Sequence, residues 1–90
     1  MGQLRIRAVD DRPATLHAQL EAALPVDFEG WPHATQRYSL LLNARGGIED
    51  DLMLVHLVDG ARAEVRMVVN AGNRDADLRL LRERCPKLEI

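Results

Sequence analysis

Two adjacent carboxylates, Asp50 and Asp51, follow a double-glycine turn and lead directly into the apolar run from Leu52 to Leu57. The placement is unusual because neighbouring acids repel each other and strands are depleted in aspartate. Period-two alternation puts Asp51 and Met53 on one face of a strand and Asp50 on the other, so the two acids do not form a paired acid–base site. One of them then lies near the apolar side of the sheet, where a partly desolvated carboxylate can accept hydrogen bonds from an amine or a heterocyclic ring. The alternative is that both are solvated turn residues.

The other residues with reactive side chains are dispersed along the chain. His17, His33 and His56 share no metal-ligand spacing, and we expect them on the surface of a helix, in a loop and in a strand, respectively. Cys85 lies near the end of a predicted helix, away from the helix N-terminal setting that activates thiols, so we expect it to be a packing residue. The glycine pair lacks the Lys and the Ser or Thr of a phosphate-binding loop.

The composition is typical of one small folded domain, which we place at residues 1–90. The chain is 47% hydrophobic and 29% charged, and its net charge is −2 with acids and bases interspersed. No basic patch indicates nucleic acid, and the apolar runs are too short to cross a membrane. Because the N-terminal residues form no signal segment and the single cysteine suits a reducing compartment, we expect a cytoplasmic protein.

Hydrophobic periodicity predicts seven elements. Strands are predicted over residues 2–9, 36–43, 51–58, 63–69 and 87–90, and helices over residues 10–25 and 70–86. Asp11 and Asn73 are the expected helix caps, Asn70 is by pattern also a helix-start residue, and Phe28 and Trp31 should anchor the loop after the first helix. The order β-α-β-β-β-α-β predicts an α+β fold of ferredoxin-like type, in which an antiparallel sheet carries both helices on one face.

Two segments together resemble the folate-binding region of aminomethyltransferase, the T-protein of the glycine cleavage system. They are RYSLLLNARGGIEDDLMLVHL, residues 37–57, and MVVNAGNRDADL, residues 67–78. The joint pattern of Tyr, Asn, Gly-Gly and Asp-Asp-Leu with a later Val-Val-Asn-Ala is specific, whereas a lone Gly-Gly-x-x-Asp-Asp is not. The resemblance extends over nearly the whole chain.

The resemblance implies one-carbon transfer, in which a methylene group passes from an aminomethyl-lipoyl carrier protein to tetrahydrofolate and ammonia is released. It implies a catalytic role for Asp51, which would lie near N10 of the folate and help to make that nitrogen nucleophilic. Tyr38, Met53 and Asn70 match family residues that lie around the folate. Asp50 is then expected to be structural, as a cap of the turn.

Two functions follow from this resemblance, because family members are several times longer than this chain. The chain is either a piece of such an enzyme, inactive alone, or a short stand-alone relative that keeps the fold for self-association or protein binding. Both lead us to expect a homo-oligomer, since apolar faces covered by other domains in the family are left open here. RNA binding is disfavoured by the negative charge and by a content of only one Phe, one Trp and one Tyr.

Overall fold

Apolar–polar alternation defines the strands, which the computed structural model describes within residues 2–90. Strand β1 buries Leu4, Ile6 and Ala8 and exposes the residues between them. The strands are β1 (Gly2–Ala8), β2 (Gln36–Leu42), β3 (Ile48–Asp59), β4 (Arg62–Val69) and β5 (Leu88–Glu89). They form one antiparallel sheet in the order β2-β3-β4-β1-β5.

The topology consists of two interlocked split β-α-β units. Strands β1 and β3 run parallel with β4 between them, and β4 and β5 run parallel with β1 between them. Strand β2 adds one edge to this four-stranded ferredoxin-like pattern. The predicted α+β class, with the order β-α-β-β-β-α-β, is confirmed.

Two helices cover one face of the sheet and close the core. Helix α1 (Pro13–Ala23) and the residue after it bury Leu16, Leu20 and Leu24, which are spaced four residues apart, and helix α2 (Arg74–Arg84) buries Leu81. These leucines pack with the inward residues of the strands in one apolar cluster. The opposite face of the sheet, here called the open face, has no helix packed on it within residues 2–90.

The start of α1 differs from the prediction. Asp10, not Asp11, makes the side-chain hydrogen bonds at this helix start. Its carboxylate accepts the backbone N–H of Arg12 at 3.0 Å and the Thr15 hydroxyl at 2.8 Å. Asp11 instead has a φ of +59°, a left-handed conformation that Asp tolerates better than most residues. Asn73 does precede α2 as expected, but its side chain makes no capping hydrogen bond.

The prediction that His17 lies on the surface of a helix is wrong. His17 is half-buried, and its Nε2 lies 3.0 Å from Nε2 of His56, which is buried in β3. The Trp31 carbonyl can only accept, so Nδ1 of His56, 3.2 Å away, carries a proton, and His17 Nε2–H donates to His56 Nε2. Burial, followed by the neighbouring His56, lowers the pKa of His17, while Glu21 opposes the shift, so the neutral form of His17 is favoured.

Aromatic side chains enclose this histidine pair and fix the long loop. Phe28 stacks on His17 with ring centroids 4.5 Å apart, and Trp31 stacks on Phe28 at 4.9 Å. Trp31 also donates from Nε1 to the Thr35 carbonyl at 2.9 Å. Both aromatic residues are buried, which agrees with their predicted role as anchors.

Replacing Trp31 with Ala should destabilise the protein by about 3–5 kcal/mol, because the change leaves a large cavity and removes the shorter of the two hydrogen bonds that the Thr35 carbonyl accepts. Urea unfolding monitored by circular dichroism measures this difference. The matched control is Val9→Ala, since Val9 is 68% exposed and its loss should change the free energy of unfolding by less than about 0.5 kcal/mol. Equal unfolding midpoints for the Trp31 variant and the parent would show that the loop does not depend on this anchor.

Candidate functional site

The open face carries a shallow depression where the four residues singled out from the sequence meet. Tyr38, Asp51, Met53 and Asn70 all line it, and its volume is ≈ 210 Å³. Strand pairing explains the meeting: Tyr38 is opposite Met53, which is in turn opposite Val68 of β4. Two residues further along the same register, beyond the end of β4, Asn70 comes level with Asp51, and its Nδ2 lies 3.1 Å from Asp51 Oδ1. The assignment of Asp51 and Met53 to one strand face is confirmed, because Leu52 and Leu54 on the other face are buried.

The depression has an apolar floor with polar groups at one end. Met53 and Val68 are half-buried, whereas the Tyr38 side chain is 80% exposed and stands free at the rim. The exposed Asp51 carboxylate and the Asn70 side-chain amide lie at the end where β4 stops. A flat ring can rest on such a floor while its N–H groups donate to the carboxylate.

Asn70 joins the two aspartates that point to opposite faces. Its Nδ2 donates to Asp51 Oδ1 at 3.1 Å and to Asp50 Oδ1, and its backbone N–H donates to Asp50 Oδ2 at 3.4 Å. Asn70 precedes a short 3₁₀ turn, but its side chain makes no capping bond there. The pattern-based role of Asn70 as a helix-start cap is therefore wrong, and its amide orders carboxylates instead.

Asp50 is not a cap of the turn as predicted. It is only 4% exposed, on the core face of the sheet, and accepts the backbone N–H of Asp51 at 2.9 Å as well as the two Asn70 donors. The side chain of Asp77 in α2, which is 2% exposed, hydrogen-bonds to Asp50. The sequence reasoning found no carboxylate pair between Asp50 and Asp51, but Asp50 has a carboxylate partner in α2.

The two buried acids differ strongly in pKa. Burial, the hydrogen bond to Asp50 and the charges of Asp50 and Glu49 all raise the pKa of Asp77, to about 7. Burial also raises the pKa of Asp50, but the hydrogen bonds from Asp77, Asn70 and the Asp51 backbone outweigh it and lower the pKa below its ordinary value. Two carboxylates in one site cannot easily both ionise, so they share one proton that resides on Asp77.

Asp77 is a site residue that the sequence-based prediction does not include. It lies four residues before Leu81 and eight before Cys85, and all three are buried. An acid on the apolar stripe of an amphipathic helix is the signal that could have identified it. Cys85 itself is a buried packing residue as predicted, and burial raises the pKa of its thiol, with Arg84 opposing this.

Two other kinds of site were also sought in the described residues. Within residues 2–90, no three His, Cys, Asp or Glu side chains are grouped so that they could hold a metal ion. None of the helices in the same range has the length and apolar character needed to span a bilayer.

The raised pKa of Asp77 predicts that stability falls as pH rises. Between pH 3.8 and about 7 the folded protein keeps a proton that the unfolded chain releases, so folding loses up to about 1.4 kcal/mol per pH unit in this window. Asp77→Asn removes this proton, so the variant should gain stability relative to the parent as pH is raised through the window. The lowered pKa of Asp50 affects stability only at pH values below this window. The His17–His56 pair is present in both the variant and the parent, so its contribution cancels in the difference between them.

Urea unfolding at several pH values measures the difference between the Asp77 variant and the parent. The control is Asp75→Asn, which removes the same charge from the same helix at a side chain that is 92% exposed. A difference that does not change with pH would show that Asp77 titrates normally.

Comparisons with known proteins agree on one family. The chain is 34% identical over 90 residues to the aminomethyltransferase of Cutibacterium acnes, covering 100% of this chain and 22% of the relative. It is 52% identical over 46 residues to that of Stenotrophomonas maltophilia, covering 51% of this chain and 12% of the relative. No family model matches the chain.

A solved structure gives the same result for the fold. The crystal structure of the glycine cleavage system aminomethyltransferase T from Bartonella henselae superposes with a TM-score of 0.82 at 32% identity, covering 97% of this chain. This chain spans 22% of the length of that protein. The resemblance to the aminomethyltransferase family is thus confirmed in sequence and in fold, and the chain is a relative of one segment of the aminomethyltransferases.

Proposed function

We propose that this chain forms one wall of a tetrahydrofolate-binding site of the aminomethyltransferase kind. The observation that carries the proposal is that Tyr38, Asp51, Met53 and Asn70, matched to the family one by one, line a single depression. Residues 1–90 would then correspond to part of the folate-binding domain of the family. A cytoplasmic location stays a prediction.

The residues of the depression suit a reduced pterin and its linked aromatic ring. Met53 and Val68 offer an apolar floor, and the exposed Tyr38 ring can pack along one edge of a flat ligand. Asp51 accepts one hydrogen bond from Asn70, which leaves its second oxygen available to an N–H group of the ligand. These residues therefore suit the ligand along one of its sides.

Asp51 is the residue that we assign to the chemistry. Bound tetrahydrofolate supplies the nitrogen that accepts the methylene group in this family. With tetrahydrofolate bound, the Asp51 carboxylate would accept a hydrogen bond from N10–H and so would raise the electron density on that nitrogen. Asn70 holds the Asp51 carboxylate in place through its side-chain amide, and Met53 would exclude water from a ring bound against it.

The depression is too small for the complete activity. Its ≈ 210 Å³ is below the volume of typical ligand pockets, roughly 300–1,000 Å³, so most of a bound folate would remain exposed. We therefore expect weak binding and no transfer by this chain alone. A lipoyl carrier protein would be a partner only when the chain works as part of a complete enzyme.

Asp51→Asn should weaken tetrahydrofolate binding by about fivefold, near 1 kcal/mol, because it removes a charged acceptor at an exposed site. Calorimetric titration with reduced tetrahydrofolate at millimolar concentration measures the change. The matched control is Asp59→Asn, at the opposite end of β3, which should bind like the parent.

No binding by the parent at millimolar tetrahydrofolate would refute folate binding by this chain. Equal weakening in the Asp51 and Asp59 variants would show that only net charge matters. Asp50 is unsuitable as a control, since it is buried and its hydrogen bonds with Asn70 and Asp77 contribute to folding.

Self-association is the second candidate function, and the open face favours it. Tyr38 and Leu40 of edge strand β2 are 80% and 36% exposed, and Met53 and Val55 beside them are only half-buried. We infer that a second copy of this chain covers the face, since edge strand β2 also leaves backbone groups free to pair with its own copy in a two-fold arrangement.

Leu40→Lys should convert a dimer to a monomer, because it places a charge within this apolar strip. Sedimentation velocity at high micromolar concentration measures the mass in solution. Val9→Lys, which introduces the same charge at a residue that is 68% exposed and outside the sheet, should leave the dimer intact. A parent chain that is strictly monomeric at this concentration excludes self-association. Dissociation of the dimer by tetrahydrofolate would show that both functions use one face.

A further inference from the structure

A continuous set of polar contacts crosses the sheet beneath the depression. It starts at Asp77 on the helix side, passes to Asp50 on the core face of β3, and continues through Asn70 to Asp51 on the open face. Asp77 and Asp50 are 2% and 4% exposed, so both carboxyl groups lie away from bulk solvent. The exposed carboxylate proposed to meet the ligand is thus connected to a buried acid that never touches the ligand.

The two ends of this set are coupled because Asn70 serves both aspartates with one amide nitrogen. Nδ2 donates to Asp50 Oδ1 and to Asp51 Oδ1, so a shift of Asp50 alters the hydrogen bond that remains for Asp51. Asp77 Oδ2 is buried and has no hydrogen-bond donor among the described residues, and a proton shared with Asp50 stabilises the Asp77 carboxyl group. Loss of that proton would put two negative charges side by side and displace Asp50.

We propose that Asp77 is a positioning residue of the depression: its proton holds Asp50, and Asp50 acts through Asn70 to hold the Asp51 side chain in the orientation that faces a ligand. This role deepens the proposed function and depends on it only for the identity of the ligand. The coupling between Asp77 and Asp51 is a property of the chain without ligand.

The charges around Asp77 make the coupling sensitive to pH near neutrality. Asp50 and Glu49 of β3 both act on Asp77, and both are acidic. On its own helix, Arg74 pairs with Asp75 at 3.4 Å. Burial, the hydrogen bond to Asp50 and the charges of Asp50 and Glu49 raise the pKa of Asp77 to about 7, so the depression should be ordered below that pH and should loosen above it.

Nuclear magnetic resonance of the full chain without ligand tests the coupling directly. The side-chain amide signals of Asn70 and the carboxyl signal of Asp51 should shift with a midpoint near pH 7, together with Asp77. Asp77→Asn keeps a donor for Asp50 and should abolish the shift, and Asp75→Asn should retain it. Asn70 and Asp51 signals that do not follow Asp77 would overturn the proposal, and because the parent alone decides this, it does not depend on whether a variant folds.

Tetrahydrofolate titrations separate this proposal from the proposed function. Raising the pH from about 6 to about 8.5 should weaken binding to the parent at least about threefold, leave Asp77→Asn unaffected, and leave Asp77→Ala weak at both pH values because it has no donor. If no variant binds tetrahydrofolate while the Asn70 signals still titrate, the proposed function fails and the positioning role stands. If the ligand binds with equal pH dependence in Asp77→Asn, the positioning role fails.

Discussion

A carboxylate buried between a sheet and a helix must be paired, hydrogen-bonded or protonated, and Asp50 satisfies this constraint with partners from three segments of the chain. Asn70 follows β4, Asp77 belongs to α2, and Asp51 is the residue next to Asp50 in β3. The end of β4, the start of α2 and the start of β3 are therefore held together by one side chain. The polar end of the depression depends on this arrangement, since Asn70 and Asp51 both line the depression and both interact with Asp50.

Local alternation and helical periodicity predicted most of the fold. Inward residues such as Leu4, Ile6, Leu16 and Leu20 are buried as expected, because burial of an apolar face follows directly from period two or period 3.6. The face of the sheet on which Asp51 lies was predictable for the same reason. The errors concern polar residues whose partners are distant in sequence, such as His17 with His56 and Asp50 with Asp77. No local pattern shows which distant group will satisfy a buried polar atom.

The candidate site was predictable only in combination with a family resemblance. Strand alternation brings Asp51 and Met53 to one face, but neither composition nor spacing shows that Tyr38 and Asn70 join them; that follows from the pairing of β2, β3 and β4. Asn70 was by pattern a helix-start residue, and only the structure shows its amide turned toward two carboxylates. Asn70 therefore both stabilises the fold and lines the depression.

The turn before β3 decides which aspartate faces the ligand side, because a slip of one residue would exchange Asp50 and Asp51 between the faces. Asn43 fixes this turn: its Oδ1 accepts the backbone N–H groups of Arg45 and Gly47, each at 2.9 Å. Gly46 has a φ of +80°, which favours glycine, and a Cβ on Gly47 would lie 2.9 Å from Asn43 Nδ2 and would displace that side chain. Pairing then shifts by one residue, with Leu41 opposite Asp50 and Leu42 opposite Ile48, so that Glu49 is left over as a bulge. The Asn-x-x-Gly-Gly part of the motif thus acts on register, and through register it presents Asp51 to the open face and Asp50 to the core.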